Sequence, residues 1–285
     1  MIIFIFHYLC AANYVFKRIM RFFSLAFYTI LFLLLPFMVN AQKTEEPDVI
    51  MTDSSIQILD PVSQVPDSLK REKAKDTNII LESFSNMEKI DVDYKKIEEF
   101  VKKNPKGYKD LMKRFLDNPL SLSVEEVVKL YYGYPFTNGY NPNRVDALTK
   151  PTRLMLSGEL QGALDVCEKE LRKAPVSLAL LEKASFLVHE LKAPSRQKYV
   201  QRTMKLLSAL MASGTGFSKE DAVKVIYISD EYAVFREMMG LVLSKQEFVE
   251  RRYDRMTLNT GNGGESIILW YDTYLMQEWR KKHVR

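Results

Sequence analysis

The chain has 285 residues, with 41 Lys and Arg against 36 Asp and Glu, and its only thiols are Cys10 and Cys167. Two cysteines exclude a disulfide framework, and apolar runs confined to about the first forty residues exclude a polytopic membrane protein. The formal charge of +5 falls to +2 once Lys17, Arg18 and Arg21 are set aside with the N-terminal segment, so there is no electrostatic case for nucleic acid.

Residues 22–39 read FFSLAFYTILFLLLPFMV, carry no charge and follow Arg21. Val39-Asn40-Ala41 then precedes Gln42. A basic start, an apolar stretch and a small residue at the break make a signal peptide over residues 1–41, and hence an exported protein of the periplasm or cell surface. Residues 1–19 are expected to be an over-extended start, with translation beginning at Met20. The competing reading is an uncleaved anchor, since such a run is long enough to span a bilayer. The membrane would then be touched only through this segment.

Residues 42–89 hold Pro47, Pro61 and Pro66 among many Ser, Thr and Asp, without sustained apolar period. A segment that buries so little does not repay its ordering entropy, which predicts a disordered tether. The folded domain is expected over residues 90–275. Ile90, Tyr94, Ile97 and Val101 fall on one helical face, with Asp91 or Asp93 as cap and Asn104-Pro105 as stop. A second helix carries Tyr108, Leu111, Met112 and Phe115, and Ser123 with Glu126 forms a capping box for a third, through about Leu130.

LYYGYPFTNGYNPNR, residues 130–144, is too rich in Gly and Pro for a long regular helix and reads as an ordered aromatic loop. Helices are expected to resume at Pro151. Gly158 in a turn, Ala163 at a close-packing position and Pro175 at a stop resemble half of a tetratricopeptide repeat, although the signature does not recur one period later. Further helices cover residues 196–211, the stretch AVKVIYIS behind a Ser218–Asp221 capping box, and EYAVFREMMG up to Gly240. Beyond Gly240 the period changes to alternation. A β-hairpin centred on Asn262-Gly263 pairs Leu258 with Ile267, Met256 with Leu269 and Asp254 with Tyr271. Residues 276–285, with Arg280, Lys281, Lys282 and Arg285, read as a frayed basic tail. The fold class is therefore mainly α: tetratricopeptide-like antiparallel helix pairs with a C-terminal β-hairpin packed on them.

Few residues suggest chemistry. His189 and His283 are the only histidines beyond the leader, no Cys pair exists, and no metal site or cofactor is expected. Cys167, on an apolar helical stripe, reads as a small buried hydrophobe. There is no G-x-S-x-G motif, and the glycine clusters at 214–216 and 261–264 are turns rather than phosphate loops. Glu98-Glu99 and Glu125-Glu126 stand beside lysines as solvated faces do. Asp230-Glu231, flanked by Tyr227 and Tyr232, offers either acid chemistry or an N-cap for the helix that follows. The aromatic loop has two readings. Tyr131, Tyr132, Tyr134, Phe136 and Tyr140, with Arg144 nearby, form a recognition surface for a protein or peptide, or for a glycan. Alternatively the rings fill a gap between helical subdomains, with hydroxyls bonded to loop backbone.

DYKKIEEFVKK, LYYGYPF with GYNP, SGTGFSKEDAVKVIYISDEY, and the YDRMTL strand with its return SIILWYD occur in this order. In that combination the chain resembles the uncharacterised exported proteins of Bacteroidetes grouped as domain-of-unknown-function family 4919, over about residues 90–275. The resemblance implies export and a shared fold and carries no activity. The reading that follows is a non-catalytic interaction module. An acid-based hydrolase around Tyr227, Asp230 and Glu231 is one alternative, and a structural envelope protein is another.

Overall fold

A computed structural model describes residues 88–143, 146–259 and 266–283. The segments expected to form a signal peptide, an over-extended start and a tether, apart from residues 88–89, lie outside the described residues, as do Arg144 and the expected tip of the hairpin. The domain opens with α1 (Tyr94–Lys103), whose first turn is capped by Asp93 accepting from the Lys96 amide at 3.1 Å. Asn104 both closes α1 and caps α2 (Pro105–Asp117), its side chain accepting from the Gly107 amide at 2.9 Å. The capping box at Ser123 and Glu126 starts α3 (Val124–Gly133). Arg114 near the end of α2 then grips the Glu126 carboxylate through both guanidinium nitrogens, at 2.6 and 3.1 Å, so one acid serves the cap and the helix pair together.

The structure corrects the aromatic loop. Its first residues, Leu130–Gly133, complete α3, and Tyr134–Phe136 adds a single 3-10 turn before Thr137. Packing favours the extra helical turn, because it drives Tyr131 and Tyr132 wholly inside. Gly133 permits it: a Cβ there would stand 2.8 Å from the Tyr108 ring. Helix α4 (Asp146–Leu156) begins earlier than expected and carries Pro151 in its interior. It is followed by α5 (Leu160–Leu171), α6 (Leu178–Glu190) and α7 (Arg196–Ala212). Gly158, at φ +79°, makes the α4–α5 turn. Each of these four helices packs on the next, and α7 returns to pack on α3.

The second half departs further from expectation. AVKVIYIS is not a helix: it supplies β1 (Val223–Lys224), then the short α8 (Ile228–Tyr232), which runs into a π-helical turn at Ala233–Met238. The Ser218 hydroxyl does accept from the Asp221 amide at 3.2 Å. The Asp221 carboxylate, however, turns back to Thr215 and Lys89, and the β-branched residues that follow enter a sheet. The expected hairpin is present with the expected register, β3 (Tyr253–Asn259) against β4 (Ile267–Asp272), pairing Leu258 with Ile267, Met256 with Leu269 and Asp254 with Tyr271. It belongs to a four-stranded sheet of order β1-β4-β3-β2, in which β1 runs parallel to β4 and β2 (Val242–Val249) forms the edge. The tail is also corrected. Tyr274–His283 is a helix, α9, because Leu275, Met276 and Trp279 pack on the core and the basic residues fall in its last turn.

The two halves meet at the 214–216 turn. Gly216 donates to the Asp221 carbonyl and accepts from the Trp270 amide, both at 2.8 Å. A Cβ on Gly214 would lie 2.5 Å from the Ala222 carbonyl oxygen, a backbone atom that cannot swing away. Gly214→Ala is therefore expected to cost about 1–3 kcal/mol, read as a lowered urea midpoint with unchanged slope; an unaltered midpoint would show that the turn tolerates a side chain.

Candidate functional site

The aromatic residues and the acidic residues, which looked like separate candidates, converge on one network. Tyr131 on α3 is wholly buried, and its hydroxyl donates to Asp230 Oδ2 at 2.7 Å while accepting from the Ile226 amide at 3.3 Å. Tyr132, next along, donates to the Lys224 carbonyl at 3.0 Å, and Tyr140 donates to the Ile226 carbonyl. Tyr134 donates to the Lys173 carbonyl at 2.8 Å. Ring contacts continue the cluster: Tyr140 lies 5.5 Å from Tyr227 and meets Trp279 edge-on at 6.2 Å. Tyr131, Tyr132, Tyr134 and Tyr140 are thus interior, which corrects the expectation of a solvent-facing phenol surface. Hydroxyls that find backbone partners make a ring profitable to bury whole. Phe136 is half-buried, and Arg144 lies outside the described residues.

Asp230 and Glu231 occupy α8 and are 0% exposed. Asp230 does not cap the helix that follows it. Its Oδ1 accepts from the Ala179 amide at 3.1 Å, in the first turn of α6, beside the Ser177 cap. A carboxylate from a distant segment thereby satisfies an amide that a helix start leaves without an intrahelical partner. Burial lifts the Asp230 carboxyl from its ordinary 3.8 to about 7, opposed by the Tyr131 hydroxyl and the α6 amides. Glu231 is pushed well above the usual carboxylate range by burial, and further by the negative charges of Asp254 and Asp230. Neither of its oxygens has a donor in hydrogen-bonding geometry. Asp254 on β3 is also raised by burial, which Gln246 and Glu231 partly offset.

Asp254 and Tyr271 are the members that the sequence reading passed over. Their signal was present: the hairpin register sets Asp254 opposite Tyr271 and on the same face as Met256 and Leu258, so a carboxyl was bound to face the core. Space around the acids is scarce. A cavity of about 20 Å³ bordered by Ser177, Tyr227 and Ser229 has room for little more than one water. Elsewhere, Cys167 is buried with its thiol pushed up to about 12, which makes it unreactive. Among the described residues no group of three His, Cys, Asp or Glu side chains could hold a metal.

Open space lies on the other side of Tyr140. A groove of about 560 Å³ runs between the 135–141 segment, α1 and α9, lined among others by Phe136, Asn138, Asn141, Trp279, Lys102 and Lys282. On its aromatic wall the His283 ring stacks on Trp279 with centroids 4.3 Å apart. Lys102 pairs with Glu98 at 2.6 Å along one rim.

Residues 95–275 match the family model described as Domain of unknown function (DUF4919). This is more than half of the chain, and the chain belongs to that family. No curated protein and no solved structure matches it.

Two expected outcomes follow for the network. Tyr131→Phe leaves Asp230 with one donor fewer and should cost about 1–3 kcal/mol of stability in a denaturant titration, with no loss of helical signal. The Asp230 carboxyl sits higher folded, near 7, than its ordinary 3.8, so between those values the native state holds a proton that the unfolded chain releases. Its contribution to stability is therefore greatest at low pH and falls as pH climbs through that window. Thermal melts of Asp230→Asn across the same range should show a shallower decline than the parent protein; an equal slope would place the titration elsewhere.

Proposed function

We propose that this member of the DUF4919 family is a non-catalytic interaction module, and that it holds an extended protein or peptide segment in the groove between residues 135–141 and α9. The observation carrying this reading is the contrast between the two candidate sites. The groove is open, aromatic and rimmed by amides and charges of both signs, a mix suited to peptide recognition. The acids have no route to solvent: both are 0% exposed, and the adjacent 20 Å³ cavity cannot admit a substrate. A hydrolase around Asp230 and Glu231 would need a reacting group within about 3 Å of these oxygens.

The N-terminal sequence supports placing the module outside the cytoplasm, in the periplasm or at the cell surface. Among the described residues no helix is long and apolar enough to cross a membrane. The succession α4 to α7 supports a tetratricopeptide-like reading of the helical stack, with the Gly158 turn and the buried Ala163 in the positions such a pair uses. An envelope-structural role would call for one broad apolar patch. Among the described residues the exposed large apolar residues are Leu120, Leu156, Phe217 and Phe248, on four segments separate in sequence.

Asn138→Ala combined with Lys282→Glu changes only exposed groove residues. It should weaken capture of a displayed peptide library by about tenfold or more, while stability stays within about 0.5 kcal/mol. Capture that survives the double substitution, or that appears only on a glycan array, would remove the peptide reading.

A further inference from the structure

Among the described residues Glu231 stands out. It is wholly buried, and among the described residues no cation pairs with it and no donor reaches either oxygen. Native proteins rarely leave a buried carboxyl in that state, and an unpaired buried charge is expelled or neutralised. The groups facing it come from every element packed around it. Asp254 on β3 is 4% exposed and adjoins it. Tyr271 on β4, paired with Asp254 in register, is wholly buried and its hydroxyl is equally unpartnered. Gln246 on β2 faces Asp254 and accepts from the Tyr232 hydroxyl at 2.7 Å. Asp230 adds a second negative charge from α8. The positive groups stand farther off: Arg280 on α9 acts on Asp254 at a distance, and Arg236 lies over the Tyr232 ring at 5.9 Å.

Two neighbouring carboxyls in a dry interior cannot both be ionised. We infer that Glu231 and Asp254 hold one proton between them, and that this proton latches α8 and its π-helical turn onto the sheet. Glu231 carries the proton and donates it to the Asp254 carboxylate. The single O–H···O bond then joins α8 to β3 and removes one of the two buried charges.

The segment so held has little regular structure of its own. α8 has five residues, and the turn that follows has π-type hydrogen bonding, an arrangement that is rare and often marks functional sites. When the proton leaves, two like charges face each other in low dielectric, and residues 228–241 open before the rest of the domain. The sign is that of an acid whose folded-state affinity for the proton exceeds its ordinary 4.5. The latch is engaged below the folded value, over the range in which Asp254 is ionised, and its contribution is lost as pH rises through the folded value. The inference does not depend on what occupies the groove.

The test is carboxyl ¹³C NMR on the full chain, combined with hydrogen exchange at two pH values. In the parent protein the Glu231 carboxyl should stay in its protonated position at about pH 7, and Glu231→Gln should remove that signal. Above the pH at which the Glu231 signal is seen to ionise, the amides of residues 228–241 should exchange about tenfold faster in the parent than in Glu231→Gln, and below it alike in both. A Glu231 signal already ionised at its ordinary carboxylate pH, or equal exchange once that signal has ionised, overturns the latch. Should Glu231→Gln fail to fold, Asp254→Asn decides. With the facing charge gone, Glu231 should titrate at least about one pH unit lower, and an unchanged titration overturns the shared proton.

Discussion

The domain depends on phenol hydroxyls reaching backbone and carboxylate partners far away in sequence. Tyr131 and Asp230 are 99 residues apart, Tyr132 and Lys224 are 92 apart, and Tyr140 and Ile226 are 86 apart. The segment from β1 to α8 has little regular structure with which to satisfy its own polar groups. The tyrosines of α3 and its succeeding turn satisfy them instead, and their rings supply the apolar bulk between the helical stack and the sheet. One set of side chains therefore fills the gap, satisfies the buried backbone and orders the segment that carries the acids. Removal of any one hydroxyl would leave a buried carbonyl or carboxylate short of a partner, and such groups are expensive when orphaned.

The two neighbouring acids show how environment divides like residues. Asp230 accepts from a phenol and from the first turn of α6, so it is buried but served. Glu231, the next residue, points where no donor stands and meets Asp254. The first acts as a helix anchor inserted from outside its own helix. The second has no structural bond to account for it in its ionised form. Both carboxyls are wholly buried. The accessible chemistry lies at the groove, where Trp279 and the 135–141 segment present aromatic and amide surface.

Much of the local structure was legible in the sequence, and the reason is range. Asp93, Asn104 and the Ser123–Glu126 box act within one turn, so residue types and spacing suffice to place them. The β3–β4 register was legible because the glycine cluster in the sequence at 261–264 and the alternation on either side of it together fix every pair. What could not be read depends on distant partners. β1 has two residues and exists only because β4 lies beside it. β2 carries an irregularity between Leu243 and Lys245 that breaks its alternation. The basic C-terminal stretch looked solvated because its charges are conspicuous, yet Leu275, Met276 and Trp279 pack it as a helix. Burial of the tyrosines was hidden for the same cause: their acceptors are carbonyls and a carboxylate that no local pattern announces.

The central claim is that the phenols of Tyr131, Tyr132 and Tyr140 lie inside the protein as ties rather than on it as a docking surface. Site-resolved ¹³C titration of the tyrosine ring carbons tests this most directly. Burial pushes all three hydroxyls above the ordinary 10. The account predicts that none ionises until the fold is lost, and that all three then titrate together with unfolding. Reversible ionisation near the ordinary value, in a protein that keeps its helical signal, would contradict it.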